Sequence, residues 1–223
     1  MRAADLMVRD VITVEPEADV AHAVDLLVHN DVSALPVVDG EGNLVGILSE
    51  ADLMRRVELH TERPRQWGES ILGASTLADE FAKAHGKRVA EIMTRGAVSV
   101  SEAAPLSEIA GALERYRIKR VPVTRDGKVV GIVSRSNVIQ ALATALHEGG
   151  DQQDGDRHIR DELLTSLARQ GWTVFGDRNV TVSGGIVHLW GLVGSKDEHR
   201  ALIALAESVP GVRGVTDEMI PAY

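Results

Sequence analysis

Two short stretches, GILSEADL (Gly46–Leu53) and GIVSRSNV (Gly131–Val138), carry the residue types best suited to binding chemistry in this chain. Each sets a serine three residues before a carboxylate or an amide: Ser49 with Asp52, and Ser134 with Asn137. A serine at a helix N-cap stands beside the unpaired N–H groups of the first turn, which favour an anion such as phosphate. A carboxylate three residues on lies one turn along the same face and can accept hydrogen bonds from both hydroxyls of a ribose. The same spacing fits a plain helix start, with the serine as N-cap and the acid as a first-turn residue. From the spacing alone the plain helix start is the stronger reading; a ligand role is favoured only together with the complete repeat. The copies differ where charge sits, because Glu50 is replaced by Arg135 and Asp52 by Asn137. A carboxylate disfavours a nearby phosphate, whereas a guanidinium can hold one in a bidentate fork. Asn137 retains an amide oxygen as a weaker acceptor for a ribose hydroxyl.

The two stretches end a longer internal repeat, in which residues 6–56 align with 92–142. Met7 aligns with Met93, Thr13 with Ser99 and Pro36 with Pro122. The second copy is one residue shorter in the polar turn DGEGN/RDGK, where a hairpin tolerates a length change. Each copy reads as a short extended segment (Val11–Val14; Ala97–Val100), a helix, two strands and a closing helix that starts at Ser49 or Ser134. Asp19 suits the N-cap of the first copy's helix, and Pro105 the first turn of the second's. Apolar residues recur at helical spacing: Val20, Ala23, Val24 and Leu27, then Leu106, Ile109, Ala110 and Leu113. The order is β-α-β-β-α, twice, and two such units would bury their open sheet faces against each other.

The leading methionine, the apolar-Pro-Val strand, the Asp-Gly hairpin and the Gly-apolar-apolar-Ser-x-x-Asp/Asn ending together resemble the CBS domain. The tandem pair is similar to a Bateman module, two repeats related by a pseudo-twofold axis, and covers about residues 1–147. The resemblance implies clefts for an adenosyl ligand (AMP, ADP, ATP or S-adenosylmethionine) and a homodimer formed through the pair. It assigns phosphate and ribose contacts to Ser49 and Asp52 in one site and to Ser134 and Asn137 in the other. It assigns the adenine's surroundings to Thr13, Val14, Leu35 and Pro36 in the first, and to Ser99, Val100, Val121 and Pro122 in the second. The second copy also carries Arg115, Arg117, Lys119, Arg120 and Arg135. Lys119, Arg120 and Arg135 therefore join the expected ligand set, and the second cleft is expected to be the better polyphosphate site. The first is expected to be empty or to hold a less negative ligand.

Residues 58–86 separate the copies; STLADEFAKAHG reads as a short helix and RPRQWG as a loop in which Trp67 anchors packing. HEGGDQQDGD reads as a flexible acidic linker, with 148–156 between domains. Beyond it the pattern is helix, hairpin around Gly184-Gly185, helix with Ser195 as N-cap, and a final strand. Val180, Val182, Gly184, Val187, Leu189, Gly191, Val193, Ala201, Ala206, the Pro210-Gly211-Val212 turn and Val215 resemble a BON domain over 157–223. That resemblance implies a contact with protein or phospholipid. His188 and Trp190 share one strand face, opposite Val187 and Leu189, and either pair could be core. The expected architecture is mixed α/β: CBS repeats at 1–57 and 87–147, and a small αββαβ domain at 157–223.

Composition bounds the function classes. The 223 residues are 44% hydrophobic, 26% charged and only 3% aromatic, so the core must be aliphatic. Cysteine is absent, which removes disulfides, thiol catalysis and thiolate metal sites. No apolar run approaches a membrane span and the N-terminus does not read as a signal peptide, so a cytoplasmic location is expected. The net charge of −9 makes nucleic acid an unlikely partner. Charge is uneven: 4 basic against 11 acidic residues in 1–57, 10 against 5 in 87–147, and 7 against 12 from 148 onward. The basic segment could attract a small anion or face an acidic one in an assembly. No catalytic constellation emerges. Asp25 and His29 read as a surface ion pair, His22 and His29 are too far apart along their helix to share a metal, and GLVGSK lacks the P-loop spacing. A non-enzymatic sensor is the leading expectation, with a constitutive scaffold whose BON domain binds a partner as the rival.

Overall fold

Among the described residues the aliphatic periodicities become short helices and three small sheets, and the chain is a mixed α/β protein. The computed structural model describes residues 1–61, 81–148 and 154–222. They group into two compact units: Met1–Arg9 with Val100–Val123 and Gly131–Tyr223, and Asp10–Ser99 with Thr124–Val130. In chain order, the elements of the repeats are α1 (Ala3–Leu6), α2 (Val20–His29), β1 (Ala34–Val38), β2 (Leu44–Ser49), α3 (Glu50–Leu53), α4 (Val89–Ile92), β3 (Thr94–Arg95), β4 (Val100–Ser101), α5 (Leu106–Arg115), β5 (Arg120–Arg125), β6 (Lys128–Ser134) and α6 (Arg135–Glu148). The C-terminal part adds α7 (Asp154–Ala168), β7 (Val180–Ser183), β8 (Ile186–Val193), α8 (Lys196–Glu207) and β9 (Gly214–Pro221). The loop with Trp67 and the start of the inter-repeat helix lie outside the described residues; residues 81–85 are helical.

The helical periodicity is largely obeyed. Val20, Ala23 and Leu27 of α2 are buried, as are Ile109 and Leu113 of α5. Val24 departs from the expectation: it is 37% exposed, on the flank of the buried stripe beside Val28. Asp19 holds the N-cap position of α2 without a side-chain cap bond, and Pro105 stands at the N-cap of α5 rather than inside its first turn.

Each repeat's sheet is completed by the other repeat's leading segment, which the linear alignment does not reveal. In the second unit, β1 and β2 pair antiparallel, and β3 adds to β2 with Gly46 opposite Arg95 and Ile47 opposite Thr94. In the first unit, Val8 of the first repeat bridges Ile132 of the second, with hydrogen bonds of 3.0 Å in both directions. The paired methionines and glycines of the repeat are explained by this exchange. A Cβ on Gly46 would lie 2.7 Å from Met93 Sδ and 2.9 Å from the Thr94 carbonyl oxygen, and one on Gly131 would overlap the Met7 side chain. Met7 and Met93 are themselves 5% and 4% exposed. Glycine is required so that the thioether can lie on the strand.

The C-terminal αββαβ unit has its own aliphatic core, built from Leu163, Leu167, Val187, Leu189 and Leu202 among others. β7 and β8 form an antiparallel hairpin, and β9 runs parallel to β8 over its full length. The hairpin turn uses Gly184 at φ +58° and Gly185 at φ +79°, which a side chain would strain. Asp156, read from sequence as part of the linker, is instead buried at the start of α7, where its carboxylate accepts from Gly184 N at 2.9 Å and Gly185 N at 2.7 Å. A flexible linker therefore cannot extend to 156, because α7 already begins at Asp154.

Both faces of this sheet are covered. One packs on α7 and α8, and the other meets α6 of the second repeat. The question of which strand face is core resolves as both, since Val187 and Leu189 are buried and His188 is fully buried on the opposite side. Thr144 of α6 and Thr181 share a 3.0 Å hydrogen bond, and Gln140 Nε2 donates to the Arg178 carbonyl at 3.2 Å.

Replacing either repeat glycine tests the exchanged packing. Gly46→Ala and Gly131→Ala are each expected to destabilise the chain by about 1–3 kcal/mol through overpacking. Thermal denaturation reads this as a lowered Tm, and an unchanged Tm in both variants contradicts the contact.

Candidate functional site

The first site's residues lie in one unit. Val14 N donates to the Pro36 carbonyl at 3.1 Å and Val38 N to the Val14 carbonyl at 3.0 Å, so Thr13 and Val14 run beside the Leu35-Pro36 strand. Leu35 is fully buried and serves the core, while Thr13 is half-buried. Ala34 pairs with Ser49, which puts the serine at the end of the same sheet. There the serine and acid form a capping box. Asp52 Oδ2 accepts from Ser49 N at 2.8 Å and from Ser49 Oγ at 2.7 Å. Its Oδ1 accepts from Thr94 Oγ1 at 3.2 Å. A carboxylate has about four acceptor sites, so capacity for a further donor remains on Asp52.

Thr94 is a site residue that sequence reasoning missed. The signal lay in the alignment, because Thr94 follows the leading methionine and its counterpart in the first copy is Val8, which has no hydroxyl. Only the exchange of leading segments brings that position to the box.

In the second set, Val100, Lys119, Arg120, Val121, Pro122, Ser134, Arg135 and Asn137 belong to one unit and Ser99 to the other, where its Oγ accepts from Thr124 Oγ1 at 3.5 Å. Val121 is fully buried and Pro122 buried, β4 with Val100 lies beside β5, and Arg135 N donates to the Lys119 carbonyl at 3.0 Å. The box recurs, with Asn137 Oδ1 accepting from Ser134 N at 2.9 Å and from Ser134 Oγ at 2.7 Å.

Two expectations about this site change. The amide oxygen of Asn137 was expected to accept from a ribose. Its two lone pairs already take the two Ser134 donors, so the amide's remaining capacity is its Nδ2, a donor. Arg135 was expected to grip phosphate. Its Nε donates to the Ile118 carbonyl at 2.9 Å, in the segment that follows α5, and its Nη2 to the Leu113 carbonyl in the last turn of α5 at 3.4 Å. Both boxes thus form plain helix starts, and neither forbids a ligand at the exposed side. Beside the second box, a shallow cleft of about 400 Å³ is lined by Arg135, Ser136, Ile139, Gln140, Ala143 and Trp190.

His29 and the GLVGSK stretch have local structural partners. His29 Nδ1 bonds the Asp25 backbone carbonyl at 2.8 Å rather than its carboxylate. Ser195 caps α8 by accepting from Glu198 N at 3.1 Å, which accounts for GLVGSK. Among the described residues, no group of three or more metal-ligating side chains forms and no helix is long and apolar enough to cross a membrane.

Comparison with known proteins places these observations in a family setting. A model of the CBS domain matches residues 3–59 and 89–144, together more than half of the chain, and a model of the BON domain matches 155–220. The chain is 32% identical over 154 residues to the chloroplastic CBS domain-containing protein CBSX1 of Arabidopsis thaliana, covering 64% of this chain and 63% of that protein. It is 29% identical to an uncharacterized protein of Methanocaldococcus jannaschii, covering 64% of this chain and 91% of that one. Among solved structures it is similar to CBSX2 in complex with AMP, with a TM-score of 0.57, 29% identity, and coverage of 64% of this chain and 97% of that chain.

Arg135→Ala tests the helix-capping role of this side chain. Loss of the two contacts, to the Leu113 carbonyl of α5 and to the Ile118 carbonyl beyond it, is expected to lower stability by about 1 kcal/mol, measured by urea denaturation. A variant as stable as the parent would show that the guanidinium does no structural work there.

Proposed function

Because the chain belongs to the CBS domain family, as a pair of repeats followed by a C-terminal BON domain, we propose that it is a non-enzymatic regulatory protein that binds an adenosyl nucleotide of the AMP type. The observation that carries this reading is its likeness to nearly the whole of the solved CBSX2 chain in complex with AMP. The duplicated serine box supports it, since each box ends a strand beside an apolar-Pro segment suited to a planar base. The BON domain is the effector that reports the bound state. A second copy of the chain is the expected partner of the pair, in keeping with the exposed apolar side chains Ile139 and Leu142 on α6.

The two sites differ chemically. At the first, the Asp52 carboxylate accepts from ribose hydroxyls, while Glu50 keeps the neighbourhood acidic. At the second, Asn137 donates through Nδ2, and the basic segment that includes Lys119 and Arg120 favours the phosphate. Phosphate recognition there falls to these residues and to the backbone, because Arg135 donates to the Ile118 and Leu113 carbonyls.

Isothermal calorimetry with AMP tests the reading. Saturable binding at micromolar AMP, with a matching rise in Tm, is expected; no heat and no shift at millimolar AMP contradicts it and favours a scaffold without ligand sensing. Asn137→Asp restores a carboxylate to the second box and is expected to tighten AMP binding there several-fold. Weaker binding in this variant would contradict the assignment of ribose to position 137.

A further inference from the structure

We infer that nucleotide binding at the second repeat's site is thermodynamically linked to docking of the BON domain, through two elements that both share: the N-terminal strap Met1–Arg9 and helix α6. The inference rests on the nucleotide-binding reading above.

The strap serves the site on one side. Met7 lies on Gly131, and Val8 pairs with Ile132, on the strand that ends at Ser134. Its polar groups are held by the BON domain. Arg157 Nε donates to Asp5 Oδ1 at 2.7 Å, and Asp5 is 2% exposed. Arg9 pairs with Asp161 at 2.6 Å, and its N–H donates to Asp177 Oδ2 at 2.9 Å. Arg160 is fully buried and donates from Nη2 to the Met7 carbonyl at 3.3 Å and the Asp177 carbonyl at 2.8 Å, and from Nε to the Val180 carbonyl at 3.0 Å. One guanidinium thus ties Met7, packed on Gly131 of the strand that ends at Ser134, to two segments of the BON fold.

Helix α6 forms the second bridge. Its first turn carries Asn137, and its later turns carry the contacts from Gln140 to Arg178 and from Thr144 to Thr181. A packed contact of this kind, with the Thr144–Thr181 bond buried, adjusts as a unit rather than by graded deformation. A ligand that favours one setting of the Ser134–Asn137 turn and of the Gly131–Ser134 strand therefore favours one setting of strap, helix and BON sheet. The linkage is reciprocal by necessity. The first site's equivalents, Met93 and α3, belong to the other compact unit, so the linkage is specific to the second site.

Hydrogen exchange on the full chain tests this with AMP as probe. Saturating AMP is expected to slow amide exchange in 157–168 and 180–190 by about five-fold or more, and to do so equally in Asp52→Ala, which disables only the first site. Loosening the docking without touching the site, by Asp161→Ala together with Thr144→Val, is expected to change AMP affinity by a similar factor. If AMP binds but exchange in those BON segments and the affinity of the double variant are unchanged, the linkage fails while the nucleotide reading stands. An exchange change abolished by Asp52→Ala alone also overturns it. If calorimetry finds no AMP binding to the parent chain, the nucleotide reading and the linkage fall together.

Discussion

The side chain of Met7 occupies the space that a Cβ on residue 131 would need, and Met93 does the same at Gly46. A thioether is flexible and polarizable enough to lie flat on a strand, and it can do so only where that strand carries no side chain. From these two contacts follow the exchange of leading segments, the completion of each sheet by the other repeat, and the arrival of Thr94 at the Asp52 carboxylate. At Met7 the same contact is gripped from outside by Arg160. Neither repeat can be a self-contained unit under this constraint.

The burial of Arg160 shows how firmly the C-terminal domain is committed to that arrangement. Desolvation lowers its affinity for a proton, opposed by the nearby Asp177 carboxylate. Hydrogen bonds offset part of the desolvation cost of a guanidinium in such a place. Here three carbonyls, from the strap, the short turn before β7 and β7 itself, accept from Nε and Nη2, while the buried Nη1 has no hydrogen-bond partner among the described residues. Removal of the strap would leave that charge short of a partner, so the first nine residues belong physically to the last domain as much as to the first repeat.

The repeat, its strand and helix order and the two serine boxes were legible in the sequence because periodicity and duplication are local properties. Ser49, Ser134 and Ser195 stand at helix starts as their types imply. The exchange was not legible, since an alignment shows what is equivalent rather than what touches. Asp156 misled for a related reason. Its Gly- and Asp-rich neighbours signal a linker, yet its carboxylate is fixed by two amides almost thirty residues away, at Gly184 and Gly185. Arg135 looked like a phosphate ligand by charge and neighbourhood; its guanidinium also donates to the Ile118 and Leu113 carbonyls. Long-range hydrogen bonds decide such cases, and no window of sequence contains both partners.

The two boxes are alike in geometry and opposite in what they leave available. Three donors use most of the Asp52 carboxylate and leave it an acceptor, whereas two donors fill the Asn137 oxygen and leave its nitrogen a donor. The central claim is that these groups meet the sugar of an adenine nucleotide. A crystal structure of the full chain grown with AMP tests it most directly. The account requires density for a ribose within hydrogen-bonding distance of Asp52 or of Asn137 Nδ2, with the base against the Pro36 or Pro122 strand. Density for AMP only away from both boxes, or none at saturating AMP, would contradict it.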